Sequence, residues 1–117
     1  MKILEIGKVD LASLCYLNKE RYPFLLESVN HNDNNRYSIL FAFPSESIVL
    51  NSLSDFDFLN ELESQYKSSN LNSSLPFLGG WFVYLSYELI GQIEPILSRE
   101  LHTSELPIAY AVKIPSA

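Results

Sequence analysis

The chain is poor in cysteine, in histidine and in basic residues: of 117 residues, one is Cys, two are His and 8 are Lys or Arg. A lone cysteine, Cys15, excludes an intrachain disulfide, and a reducing cytoplasm is the compartment that suits such a chain. Cys15 lies in the apolar run LASLCYL, where a small buried hydrophobe is expected. A catalytic thiol wants a nearby histidine, and His31 and His102 are both distant in sequence. Neither histidine has a second His or Cys at ligand spacing, so no metal site is expected. Against 14 Asp and Glu, the few basic residues leave a net charge of -6. That balance repels phosphate backbones, and no basic run offsets it, so nucleic acid is excluded as a partner. No stretch approaches the ~20 apolar residues of a membrane helix. The longest apolar run, LGGWFVYLSYELIG, is broken by Ser86 and Glu88. The N-terminus, MKILEIGKVD, is too short and too charged for a signal peptide. There is no GxGxxG and no GxxxxGK[ST], so the pair Gly79-Gly80 is expected to permit close backbone approach rather than to hold a phosphate.

Apolar material is plentiful. Hydrophobic residues make up 47% of the chain, enough for a core, and the length allows one ordinary domain, residues 1–117. KILEI, residues 2–6, alternates and predicts an edge strand. Asp10 is placed to cap a short helix reaching about Lys19, with Leu11, Leu14 and Leu17 on one face. FLLESV and YSILFAF read as strands around the turn residues HNDNN, and SIVLNSL follows after Ser45-Glu46-Ser47, giving an antiparallel meander. From Ser54 the period becomes helical. Ser54 is the expected N-cap, and Phe58, Leu59, Leu62 and Tyr66 recur at 3.6-residue spacing. The strand after Gly79-Gly80 is apolar on both faces and is expected to be central. Residues 88–97 predict a short helix stopped by Pro95, and PIAYAVKIP a last strand. The order argues for an α+β fold, a mostly antiparallel sheet with two or three short helices.

The carboxylate pairs Glu61/Glu63 and Asp55/Asp57 read as a solvated helix face. One polar group is different. Glu27-Ser28 closes one strand, and Arg36-Tyr37-Ser38 opens the next across a single turn. A small zwitterion needs an acceptor for its ammonium and a donor for its carboxylate, and these residues have the right signs. A plain cross-strand pair between Glu27 and Arg36 accounts for the same residues, and both readings stand at this point.

PFLLES, then RYS, then LPFLGGWFVYLSYELIGQIEP, in that order, resembles the N-terminal domain of the chorismate-using synthases, anthranilate synthase component I and aminodeoxychorismate synthase component I (the para-aminobenzoate synthase large subunit). The resemblance runs from about Tyr22 to Pro115. The form GGW…YELIGQIEP with a following LP…A is more similar to the para-aminobenzoate branch than to the anthranilate branch. It implies a parent transferase that aminates chorismate to 4-amino-4-deoxychorismate, on the way to folate. Ammonia would come from a separate glutamine amidotransferase subunit, and Mg²⁺ would sit in a C-terminal catalytic domain. None of that domain's residues has a counterpart here. The chain is therefore expected to be an N-terminal domain or fragment with no catalytic residue and no cofactor of its own. The resemblance also implies a tryptophan-like pocket at Glu27, Ser28, Arg36 and Tyr37, Ser28 falling on the serine of the LLES stretch. The alternatives are the N-terminal regulatory domain of anthranilate synthase component I and a free-standing amino-acid-binding module. A sheet made to pack against another domain would expose apolar surface and strand edges, so self-association, as a homodimer, is expected.

Overall fold

In the computed structural model, residues 2–28, 37–68, 72–97 and 105–117 are described. The HNDNN turn, His31, Arg36 and His102 lie outside them. The elements are α1 (Leu11–Leu17), β1 (Phe24–Leu26), β2 (Ile39–Phe41), β3 (Ser47–Leu50), α2 (Phe58–Gln65), β4 (Gly80–Leu85), α3 (Ile90–Ile93) and β5 (Ala109–Ile114), with 3₁₀ turns on either side of α3. The fold is α+β, and every strand pairing is antiparallel.

Two sheets stack. β1 and β2 form a hairpin, and a three-stranded sheet runs β3-β5-β4. β5 alternates over its first four residues: Ala109 and Ala111 point to one side, Tyr110 and Val112 to the other. The alanine side meets the helices. Ile48, Leu50, Phe58, Leu89, Ile108 and the two alanines form one buried cluster, with Leu53, Leu62 and Trp81 packed against it. Small side chains on the central strand let the helical layer approach closely. The other side carries an aromatic layer. Phe24 of the hairpin lies flat on Phe82 of β4, with centroids 3.9 Å apart and planes 2° apart. Phe41 meets the edge of Phe82 at 5.4 Å, and Tyr84 stacks on Tyr110 at 5.2 Å. Edge-on pairs such as Phe41–Phe82 contribute beyond the area they bury.

Several sequence expectations need correction. KILEI forms no strand; residues 2–10 are irregular, with Ile3, Leu4 and Ile6 59%, 68% and 72% exposed. Alternation there finds no ladder partner. The meander stops after two strands. Phe43 takes a left-handed φ of 59° and turns the chain out of the hairpin plane. Ala42 then donates to the Ser116 carbonyl and Ser45 to that of Lys113, so β3 joins β5 instead of β2. β4 is not central: among the described residues β5 pairs with only one of its sides, and Val83 and Leu85 are 40% and 50% exposed.

α1 is capped as expected, its Asp10 carboxylate accepting from the Ser13 amide at 3.2 Å and the Ser13 hydroxyl at 2.7 Å. Leu17 is nonetheless 77% exposed, so the leucine face is only half covered. Cys15 is half-buried rather than buried, its Sγ 3.2 Å from the Tyr22 carbonyl. For α2 the cap is Asp57, not Ser54, with the Asn60 amide donating to it at 3.1 Å. The reason is Gln92. Its Nε2 donates to the Leu53 and Phe56 carbonyls at 2.9 and 2.6 Å, and its Oε1 accepts from the Phe58 amide at 3.1 Å. Residues 53–57 are thereby held as a turn, and the helix starts at Phe58.

Gly79-Gly80 behaves as expected. Gly79 has φ +123°, and a Cβ there would stand 3.3 Å from the Pro115 carbonyl oxygen. The position requires both the positive φ and the missing side chain.

Candidate functional site

β1 and β2 pair Phe24 with Phe41 and Leu26 with Ile39. Continuing that register sets Glu27 opposite Ser38 and Ser28 opposite Tyr37. The ends are tied by one bond, the Ser28 amide donating to Ser38 Oγ at 3.2 Å. Ser28 is half-buried, Glu27 is exposed and Tyr37 is 46% exposed. The structure thus brings together three of the four residues singled out from the sequence, at the open end of the hairpin. The fourth, Arg36, lies outside the described residues. By the register Ser28 and Tyr37 form a cross-strand pair, a hydroxyl beside a phenol, with the Glu27 carboxylate one position along the strand. They offer no proton relay and no nucleophile–base pair.

Elsewhere among the described residues the surface has further hollows. The N-terminal segment and the chain's last residues border an open cleft of about 590 Å³, walled by Ile3, Ile6, Phe77, Leu78 and Pro115. A shallower groove of about 410 Å³ runs between α2 and β4, lined by Leu59, Leu62, Glu63, Tyr66, Trp81 and Val83. A third, polar in half its wall, lies between β3 and α2 beside Glu61 and Gln65. Among the described residues no group of three His, Cys, Asp or Glu could hold a metal ion. No helix among them is long and apolar enough to cross a membrane.

Sequence reasoning passed over the α2–β4 groove and the Gln92 clamp. The groove had a signal: Leu59, Leu62, Glu63 and Tyr66 follow the i, i+3, i+4, i+7 rule, but only the three-dimensional placement of Trp81 makes that face a groove. The clamp had none, because its partners stand 34 to 39 residues away. Ser86 Oγ is buried without a hydrogen-bond partner, and nothing in its surroundings explains it.

No protein-family model, no curated protein and no solved structure matches this chain.

Proposed function

We propose that this chain is the non-catalytic N-terminal domain of a chorismate-using synthase component I, of the aminodeoxychorismate branch. In this reading it scaffolds a C-terminal catalytic domain, where chorismate, Mg²⁺ and ammonia from a glutamine amidotransferase subunit meet. It also holds L-tryptophan at the open end of the β1–β2 hairpin. The motif order PFLLES, RYS, GGWFVYLSYELIGQIEP supports the family. The observation that carries the site is the Ser28–Ser38 bond at 3.2 Å. It ties the LLES serine to the strand that carries Tyr37, which supports a reading in which an amino acid's ammonium and ring are met at this hairpin end.

Two measurements test this. An antibody against the chain reads the native mass in the source cells. A band far above 13.4 kDa is expected, and a band at 13.4 kDa overturns the synthase assignment in favour of a free-standing amino-acid-binding module. Calorimetric titration with L-tryptophan reads the site. Ser28→Phe is expected to abolish binding with little change in unfolding midpoint, because Ser28 lies outside the buried cluster. Unchanged affinity in that variant refutes the site.

A further inference from the structure

Among the described residues, the outer edge of β4 has no strand partner, and it is unlike the other such edge of its sheet. β3 is guarded. It is four residues long, it follows Pro44, and Glu46 pairs with Lys113 at 2.9 Å where it begins. β4 runs six residues, GWFVYL, with continuous register, no bulge, no proline and no charge. Those are the devices by which edge strands avoid pairing, and all are missing here. In a chain of net charge -6, a neutral six-residue edge lets a like copy approach without local repulsion.

The phase of the backbone can be read from its hydrogen bonds. Lys113 exchanges bonds with the β3 side, its amide donating to Glu46 and its carbonyl accepting from Ser45, while the Ser86 amide donates to Ile108 across the β4 side. Alternate residues of an antiparallel strand turn their backbone groups to opposite sides. Hence Phe82 and Tyr84 bond to β5, and the amides and carbonyls of Trp81, Val83 and Leu85 point outward. The side chains of these same three residues project towards the helical layer, where Trp81 and Val83 line the α2–β4 groove.

We propose that the β4 edge pairs with the β4 edge of a second copy of this chain, antiparallel, with Val83 on the two-fold axis. This inference is independent of the tryptophan reading. Self-pairing about Val83 sets Val83 opposite its own copy and Trp81 opposite Leu85. Each of these residues then donates and accepts one bond across the axis, so the outward backbone groups are used in phase. The strand is self-complementary in side chains as well. On the helical face Leu85 of one copy, 50% exposed alone, covers Trp81 at the mouth of the other's groove. On the opposite face Phe82 meets Tyr84, extending the aromatic layer across the junction. Cross-strand pairs of aromatic and aliphatic residues are the stabilising kind. The product is one continuous six-stranded sheet, closed by a two-fold and so limited to a dimer. An interface of one strand and a groove rim is small, below roughly 1,200 Å², and such interfaces are weak. A dissociation constant on the order of 10 μM is expected.

The test is sedimentation equilibrium of the 117-residue chain across that range, with two variants. Val83→Pro removes an amide that faces away from β5, so the native sheet keeps its bonds, since proline is tolerated at such edge positions. Val83→Lys puts two like charges on the axis. Far-UV circular dichroism and the unfolding midpoint establish that each variant is folded. Both variants are expected to weaken dimerisation by at least about tenfold. In the native chain, amide exchange at Trp81, Val83 and Leu85 is expected to slow as concentration rises, with Phe82 and Tyr84 unchanged. A monomer throughout the range overturns the proposal and leaves the edge to a different partner. A dimer that survives both substitutions, or whose concentration-dependent protection falls on other strands, overturns it equally.

Discussion

Replacing Gln92 with alanine should cost this domain a large part of its stability, although Gln92 contributes nothing to the apolar cluster. One side chain makes three hydrogen bonds, to the Phe58 amide and to the Leu53 and Phe56 carbonyls, at 3.1, 2.9 and 2.6 Å. The first two are partly buried. Water cannot freely replace a partner there, and the Phe58 amide, at the first position of α2, has none inside the helix. A hydrogen bond contributes about 1 kcal/mol net, and an orphaned buried group costs about 1–3 kcal/mol. With one exposed bond and two shielded ones, Gln92→Ala should lose about 2–3 kcal/mol. Domains of this size are stable by roughly 5–15 kcal/mol, so the loss is substantial. It corresponds to a fall in Tm of about 7–15 °C. Urea unfolding with an unchanged slope is the assay. Gln92→Glu sharpens it. A carboxylate keeps the acceptor for Phe58 but faces two carbonyl oxygens, so it should be no better than alanine at neutral pH. A loss below about 0.5 kcal/mol for alanine, or a glutamate variant as stable as the native chain, would refute the clamp.

Three further outcomes are expected. The Ser13 hydroxyl, and after it the Ser13 amide, donate to the Asp10 carboxylate and hold its pKa below the ordinary 3.8. Asp10 therefore stabilises α1 fully above that value and ceases to as the pH falls through its lowered folded-state pKa; loss of amide-exchange protection in α1 on acidification should vanish in Asp10→Asn. Gly79→Ala should destabilise by more than about 1 kcal/mol because it meets both a positive φ and the Pro115 carbonyl, and a neutral thermal melt would contradict the close approach. Phe24→Ala should cost about 2–3 kcal/mol, less than a fully buried Phe, and a denaturation curve showing under about 1 kcal/mol would mean that the ring stack does not hold the hairpin to the sheet.

What the sequence made legible was whatever depends on near neighbours. Asp10 followed by Ser13 announces a cap. Pro23 and the alternation after it announce β1. Two glycines before an aromatic strand announce a tight approach. Strand order was not legible, because two-faced apolarity fits either a central strand or an edge strand with one face under aromatics and the other half under a helix. The better clue to the central strand was Ala109 and Ala111, small residues where two layers converge on β5. Ser54 and Asp57 are equally good caps by residue type, and only Gln92, far along the chain, chooses between them. At the candidate site, residue types gave Glu27, Ser28, Arg36 and Tyr37 as a group; the β1–β2 register sets Glu27, Ser28 and Tyr37 at one hairpin end, and Arg36 lies outside the described residues.

The central position of β5 governs how this molecule comes into being. β3 and β4 each pair with β5 and with no other described strand, so neither has a ladder until Ala109–Ile114 is available. A ribosome releases the chain from its N-terminus. The hairpin, α1 and α2 can begin to form as they emerge. The strands at 47–50 and 80–85 must wait, exposed, for the last one. Closing such long-range contacts, farther in sequence for β3 than for β4, is slow compared with forming helices and hairpins. During that interval the uncharged GWFVYL strand lacks its ladder partner, and protection by a chaperone or by prompt arrival of β5 decides how much of the chain reaches the native sheet.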